Sequence, residues 1–245
     1  CVSITMSSYA SVSESELDNI IKRIQDIYES EFLEVTHKDL VFHKNFRKKA
    51  ARAYIEKKPL FYKITLEKGL ISNEFVTSDS VALIICHEIG HALGGELYKK
   101  NRTFDRWREE VLKINWATAE GQSDYYASSV CMKKYFEGDY NEDAVFGKSI
   151  PKVVSSKCKN AYSYKEDIDI CIRTSLAISP AIEMINKDKL NLSLAKPDLS
   201  ISEVTLLGYP SIQCRMDTYF HGALGLERPK CWYRKGHDGN ATWKF

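Results

Sequence analysis

The feature that most constrains this chain is a pair of histidines one helical turn apart. His87 and His91 enclose the sequence His-Glu-Ile-Gly-His, inside an apolar segment that stops at Gly94. Side chains four residues apart project from the same face of an α-helix, so both imidazoles can reach one metal ion. Glu88 is then placed to act on a water molecule beside that ion. The pattern predicts a buried metal-binding helix over residues 79–93.

A catalytic zinc ion takes three protein ligands and keeps one position open. In one large class of zinc peptidases the third ligand is a histidine six residues after the second, but Leu97 stands at that position. The alternative is a glutamate from a following helix. The candidates are Glu96, Glu109, Glu110 and Glu120. The first is too close in sequence to fold back easily, and the next two lie in a charged run.

Glu120 is the favoured third ligand because of its surroundings. Asp124 follows one turn later, where it can accept the outer ring N–H of a zinc-binding histidine and orient the imidazole. Small neighbours would let this helix approach the histidine helix closely: Ala119, Gly121 and Ser123. A solvent-exposed acidic pair is the competing interpretation. The sequence therefore predicts the two histidines and Glu120 as ligands of Zn2+, with Asp124 behind them.

These motifs resemble those of a protease group. His87-Glu88-x-x-His91 followed by Glu120-x-x-x-Asp124 is similar to the gluzincin metallopeptidases, and residues 51–54 and 64–70 resemble the segment that precedes the metal helix in HtpX-like and minigluzincin proteases. Those proteases carry a later His-Pro-x-x-x-x-Arg motif. This chain has the same spacing in Tyr209-Pro210 and Arg215, with tyrosine in place of histidine.

The resemblance implies an α+β, zincin-like fold. A small mixed β-sheet would pack on the HExxH helix and on a second helix that bears the glutamate, and the second half would be mostly helical, with disulfides. Residues 1–245 would form a single metallopeptidase domain, with an upper lobe over 1–95 and a lower lobe over 96–245. The membrane helices of HtpX are missing from this sequence.

The implied activity is zinc-dependent hydrolysis of peptide bonds in protein or peptide substrates. Glu88 would be the general base, and Tyr209 and Arg215 further catalytic residues, with Tyr209 steadying the oxyanion. Tyr219 and His221 are rivals for that role. Arg215 also shares a short predicted helix with Asp217, where a structural ion pair is the alternative.

Two other functions fit the same ligands. One is a catalytically silent, peptidase-fold zinc protein that serves as a binding or assembly module in the cell envelope. The other is a metal hydrolase that acts on a cell-wall amide or another non-peptide bond. Oligomeric state cannot be predicted from the sequence.

The cysteines indicate an oxidising, extracytoplasmic compartment, which would be the periplasm, the cell surface or the medium. Seven cysteines are many for an intracellular chain of this size, and none form a CxxC pair. Cys158 with Cys171 and Cys214 with Cys231 lie in polar, turn-rich surroundings typical of disulfides. Cys86, by contrast, is equally compatible with a buried free thiol.

Charge and hydropathy exclude some partners. A net charge of +2 without a recognisable motif argues against nucleic acid. The longest apolar run, residues 81–86, is far shorter than the ~20 residues that span a bilayer. Cys1 has no preceding Met. One interpretation is a lipid anchor on this cysteine, and the other is a trimmed terminus or an ordinary disulfide partner.

The remaining segments carry local predictions. Amphipathic spacing predicts a helix over 13–30, and alternation predicts strands over 50–55 and 60–66, one of which could be a free sheet edge that holds a peptide. Residues 104–137 are expected to be helical in two pieces, 138–175 irregular, and 179–186 a short helix. The basic segment 44–52 is interpreted as a solvated face, and the alternative is that it attracts acidic substrates or anionic surfaces.

Overall fold

The structure, a computed structural model, describes residues 11–104 and 110–236, without the side chains at 101–104 and 110–114. The described part is a mixed α+β arrangement with two small sheets, about half of its residues helical, and three disulfides. Its elements up to the histidine pair are α1 (Glu14–Thr36), β1 (Asp39–Asn45), β2 (Ala53–Lys57), β3 (Phe61–Glu67), α2 (Lys68–Ser72) and α3 (Ser78–Leu93). Cys1 lies outside the described residues.

The first helix forms where amphipathic spacing predicts it. The Ser13 hydroxyl accepts the Glu16 N–H, and the Glu16 carboxylate accepts the Ser13 N–H in return, which caps the start of α1. Its apolar stripe is buried against the sheet and α3. The helix is confirmed and continues to Thr36, beyond the expected end.

A three-stranded sheet has the order β1-β3-β2, with β1 parallel and β2 antiparallel to β3. The predicted hairpin is thereby confirmed, with its first strand shifted to Ala53–Lys57. Strand β1 was not predicted from the sequence; it ends at Asn45, inside the basic segment. Because β2 lies at the edge of this sheet, one side of its backbone has no partner strand among the described residues.

The expected helix from residue 104 is wrong in its first piece. Residues Tyr98–Phe104 (β4) and Glu110–Thr118 (β5) form an antiparallel hairpin instead. The segment before Glu120 is rich in β-branched and aromatic residue types, which favour strands over helices. The helical part begins at Glu120 and runs through α4 (Glu120–Tyr126), a π-helical turn (Ala127–Cys131) and α5 (Met132–Phe136).

Residues 138–175 are helical, contrary to the expectation of irregular structure. They contain α6 (Asn141–Val145), α7 (Lys152–Ala161) and most of α8 (Lys165–Glu183). Their polar composition suggested a loop, because α7 buries few residues (Val154 and Cys158) and the start of α8 intersperses buried positions with charged ones. The short helix expected over 179–186 is only the end of α8. The last described helix is α9 (Ile212–Ala223).

The histidine helix α3 lies in the middle of the core. The Thr77 hydroxyl caps it by accepting the Ser80 N–H, and the helix ends at Gly94 as predicted. At Gly90 the backbone of α4 comes so close that an added Cβ would lie 2.9 Å from the Cα of Ser123. Glycine at this position therefore allows the two helices to approach closely.

The three disulfides join Cys86 to Cys131, Cys158 to Cys171 and Cys214 to Cys231. The last two confirm the predicted partners, whereas the free-thiol interpretation of Cys86 is wrong. The first disulfide links α3 to the π-helical turn that follows α4, so it ties the histidine helix to the helix of Glu120. Three disulfides are typical of an oxidising, extracytoplasmic environment. Among the helices of residues 11–104 and 110–236, none is both long and apolar enough to cross a bilayer.

Candidate metal centre

The structure brings His87, His91 and Glu120 together into a buried group that could hold a metal ion. One ligand atom from each lies within 4.8 Å of the other two. The Glu120 carboxylate faces both rings, with Oε2 at 3.3 Å from Nε2 of His87 and Oε1 at 3.6 Å from Nε2 of His91. Of the other candidates for the third ligand, Glu96 is exposed, and the side chains of Glu109 and Glu110 lie outside the described residues.

Hydrogen bonds at the outer nitrogens fix how both rings are oriented. Nδ1 of His91 lies 2.9 Å from the Thr118 carbonyl oxygen, which can only accept, so this nitrogen carries the hydrogen. Nδ1 of His87 lies 2.7 Å from Oδ1 of Asp124, a carboxylate that likewise accepts. Both imidazoles therefore turn Nε2 toward the space in front of Glu120, where this nitrogen can bind a metal ion once it carries no proton.

Asp124 is fully buried and is held from its other side by Arg215. The guanidinium donates through Nε to Oδ2 at 2.7 Å and through its terminal nitrogen to Oδ1 at 2.8 Å. It also lies 3.5 Å from Oε2 of Glu120. Arg215, which was predicted to be catalytic or paired with Asp217, is in fact paired with Asp124. Asp217 instead accepts the Asp198 N–H and a Gln213 amide hydrogen.

The pKa shifts of the three candidate ligands show that the site favours a positive charge next to Glu120. Burial alone would lower the pKa of His87, but Asp124 and Glu120 outweigh burial and raise it to about 9. Burial and the nearby His87 charge lower the pKa of His91 to about 3, which keeps this ring neutral. Burial opposes ionisation of Glu120, yet its pKa stays well below the ordinary value because of both histidines. The site thus holds an ionised carboxylate and favours one positive charge beside it.

The donor set fits zinc. A tetrahedral zinc with bonds of ~2.0–2.1 Å separates its ligand atoms by about 3.3 Å. Oε2 of Glu120 already lies at that distance from Nε2 of His87. The other oxygen, Oε1, lies slightly farther from Nε2 of His91. Two imidazole nitrogens and one carboxylate oxygen form a known ligand set of catalytic zinc. A second group, Asp198 with Cys214 and Cys231, lacks free thiolates because the two sulfurs form a disulfide.

Glu88 lies beside the metal group and lines an open cleft of about 700 Å³. Its Oε2 accepts the backbone N–H of Ile55 at 3.0 Å, so the edge strand β2 holds this carboxylate. Burial and the charge of Glu120 raise the pKa of Glu88 to about 7. Burial thus makes this carboxylate more basic than an exposed glutamate, and the charge of a metal ion beside it would act in the opposite direction.

The predicted oxyanion donors lie in different places. Tyr209 is largely exposed at the cleft, where interaction with the Glu120 charge raises the pKa of its hydroxyl. The hydroxyl of Tyr219 is 3.3 Å from Nδ1 of His87, on the far side of the ring from Glu120. His221 does not line the cleft, and its Nδ1 donates to the carbonyl of Glu227. Tyr209 and Tyr219 both line the cleft, but Tyr219 is buried with its hydroxyl against His87, whereas Tyr209 is exposed.

Three contacts of the site were not predicted from the sequence. Lys99 lies 2.6 Å from Oε1 of Glu120, the Thr118 carbonyl holds His91, and the Ile55 backbone holds Glu88. Lys99 looked like part of an exposed linker, and only its place on strand β4 brings it to the site. Backbone groups leave no residue-type signal, so the other two contacts had none.

No protein-family model matches the sequence, and neither a curated protein nor a solved structure matches it. The chemistry of the site is therefore the only ground for assigning a function.

Proposed function

We propose that the protein is a zinc-dependent metallopeptidase of the gluzincin type, with a zincin-like fold. One observation supports this most strongly. The carboxylate of Glu120 faces the Nε2 atoms of both HExxH histidines, and Glu88 stands next to them in an open cleft. A purely structural metal site has no need of a cleft or of an unligated carboxylate beside it.

The side chains prepare the site before any substrate arrives. Zinc held by His87, His91 and Glu120 would supply a Lewis acid for a carbonyl oxygen and for water. Asp124 and the Thr118 carbonyl keep both imidazoles in the tautomer that leaves Nε2 free. Arg215 acts on the reaction through Asp124 and Glu120 and is therefore a positioning residue.

Glu88 is the proton carrier in this proposal. Its carboxylate removes a proton from the attacking water and delivers it to the amine that leaves. The hydrogen bond from Ile55 occupies one of its oxygens, so the other oxygen is available for the proton. Burial raises the pKa of this carboxyl, which helps it to hold the proton between the two transfers.

Tyr209 supplies a hydrogen bond to the developing oxyanion. Its side chain lines the cleft and is exposed, and its hydroxyl interacts with the carboxylate of Glu120. A turn of the side chain from there would bring the hydroxyl to a bound carbonyl. Nζ of Lys99 and the guanidinium carbon of Arg215 each lie 5.9 Å from the centre of its ring.

The edge strand β2 supports a peptide as the substrate. In the antiparallel pair of β2 and β3, Ile55 stands opposite Ile64, but its N–H points to Glu88 in the cleft. The backbone of alternate residues of β2 therefore faces the cleft, where an extended peptide can pair with it as an added strand. The disulfides favour protein or peptide substrates outside the cytoplasm.

Glu88→Gln tests the proposal. The variant should bind zinc as wild type does and lose nearly all peptide hydrolysis, because the amide cannot accept the water proton. Glu96→Gln, an exposed glutamate just beyond α3, is the matched control and should keep both properties. Metal content and cleavage of a denatured protein substrate are measured with and without a chelator. Wild-type protein that binds zinc without cleaving would favour the silent binding module.

A further inference from the structure

The charges that line the cleft are asymmetric. Among the described residues, the acidic side chains in its wall are Glu88 and Glu120, and both belong to the metal centre. The basic side chains in the same wall are Arg52, Lys99, Lys187 and Arg215. Carboxylates outside the metal centre are therefore missing from the described wall, whereas cations are frequent.

Two of these cations already have partners. Arg215 is neutralised by its two hydrogen bonds to Asp124, and Lys99 contacts Glu120 at 2.6 Å. A divalent metal ion would balance the charges of Glu88 and Glu120. The cleft then retains the positive charges of Lys99, which is mostly buried, and of the remaining two side chains, which are exposed.

Arg52 and Lys187 are those two cations, and they stand on different walls. Arg52 comes just before the edge strand β2, with its guanidinium 5.2 Å from the centre of the Tyr54 ring. Lys187 follows the end of α8. Both are exposed, and within the described part of the chain neither is within 4 Å of a carboxylate oxygen. The acidic residues Glu183 and Asp188, near Lys187 in sequence, do not line the cleft.

We propose that the cleft binds substrates with a carboxylate close to the bond that is cut, and that Arg52 and Lys187 set this preference. The proposal rests on the peptidase function above. Unpaired cations in a concave, largely apolar site concentrate anionic ligands and guide them inward. Glutamate or aspartate side chains of an extended peptide are one source of the carboxylate, and a free C-terminus is the other.

Binding of short dye-labelled peptides to zinc-loaded Glu88→Gln protein tests the preference without depending on turnover. Three peptides share one apolar framework: one has glutamates and an amidated C-terminus, one has glutamines and an amidated C-terminus, and one has glutamines and a free C-terminus. We expect at least one carboxylate peptide to bind on the order of tenfold more tightly than the neutral peptide. Added salt should reduce this ratio.

The variants decide whether these two cations are responsible. Arg52→Gln and Lys187→Gln, added together to the Glu88→Gln protein, should bring the ratio of carboxylate-peptide affinity to neutral-peptide affinity close to one. The matched control, Lys148→Gln with Lys159→Gln, removes two exposed positive charges outside the cleft and should preserve the ratio. Equal binding of all three peptides, or a ratio that survives loss of Arg52 and Lys187, would overturn the inference. Selective binding by a wild-type protein that cleaves no peptide would sink the peptidase function and leave the carboxylate preference intact.

Discussion

Asp124 joins the metal site to the rest of the protein, and Asp124→Asn should therefore weaken both zinc binding and folding. Oδ1 of Asp124 accepts from Nδ1 of His87 at 2.7 Å, while Oδ2 accepts from Nε of Arg215 at 2.7 Å. An asparagine keeps the shape but must turn its NH2 group toward one of these donors. Either orientation places two donors face to face in a fully buried position.

The size of both effects follows from this geometry. Loss of the charge leaves the buried Arg215 with only the more distant Glu120, at 3.5 Å. Breaking a buried ion pair in this way costs about 3–5 kcal/mol of unfolding free energy. Loss of a carboxylate behind a metal-binding histidine reduces metal affinity by about 10–100-fold.

Two assays and one control separate the effects. Urea unfolding gives the stability, and competition with a chromogenic chelator gives the zinc affinity. Asp217→Asn is the control, because Asp217 is also a buried carboxylate but contacts Asp198 and Gln213 instead of a histidine. It should lose stability without losing zinc affinity. Wild-type zinc affinity in Asp124→Asn would refute the role of Asp124 as the residue that orients His87.

Two further predictions concern the disulfide that connects the two ligand helices and the tyrosine proposed to stabilise the oxyanion. Replacing Cys86 and Cys131 with alanine opens a loop of 45 residues and should cost about 4 kcal/mol in urea unfolding, against about 3 kcal/mol for the 13-residue loop of Cys158 and Cys171. Equal losses would show that loop closure is not what these disulfides contribute. Tyr209→Phe should lower kcat by about 10²–10³-fold with zinc content unchanged. An unchanged kcat would remove Tyr209 from the reaction.

Much of the centre of the fold could be predicted because short-range chemistry determines it. The Thr77 cap, the apolar face and Gly94 specify α3 without help from distant residues. The spacing of His87 and His91 then brings both rings to one point. The cluster with Glu120 was predictable because its small neighbours indicated close helix packing, and Gly90 against Ser123 shows that packing.

The errors arise where tertiary contacts decide the structure. Residues 110–118 form a strand because they pair with 98–104, and that pairing is invisible in the local pattern. Helix α7 buries only a narrow stripe, and α8 intersperses its buried positions with charged residues, so their composition resembled a loop. The partner of Arg215 is 91 residues away, and the nearer Asp217 was the natural but wrong choice.

The central claim is that Glu120 completes a zinc site with the two histidines, and zinc stoichiometry of Glu120→Ala tests it most directly. Purified wild-type protein should bind one zinc ion per chain. The control variant Glu96→Ala, which removes an exposed glutamate, should do the same. Glu120→Ala should bind none under the same conditions while remaining folded by circular dichroism. A folded Glu120→Ala protein that still holds one zinc per chain would contradict the account and place the third ligand elsewhere.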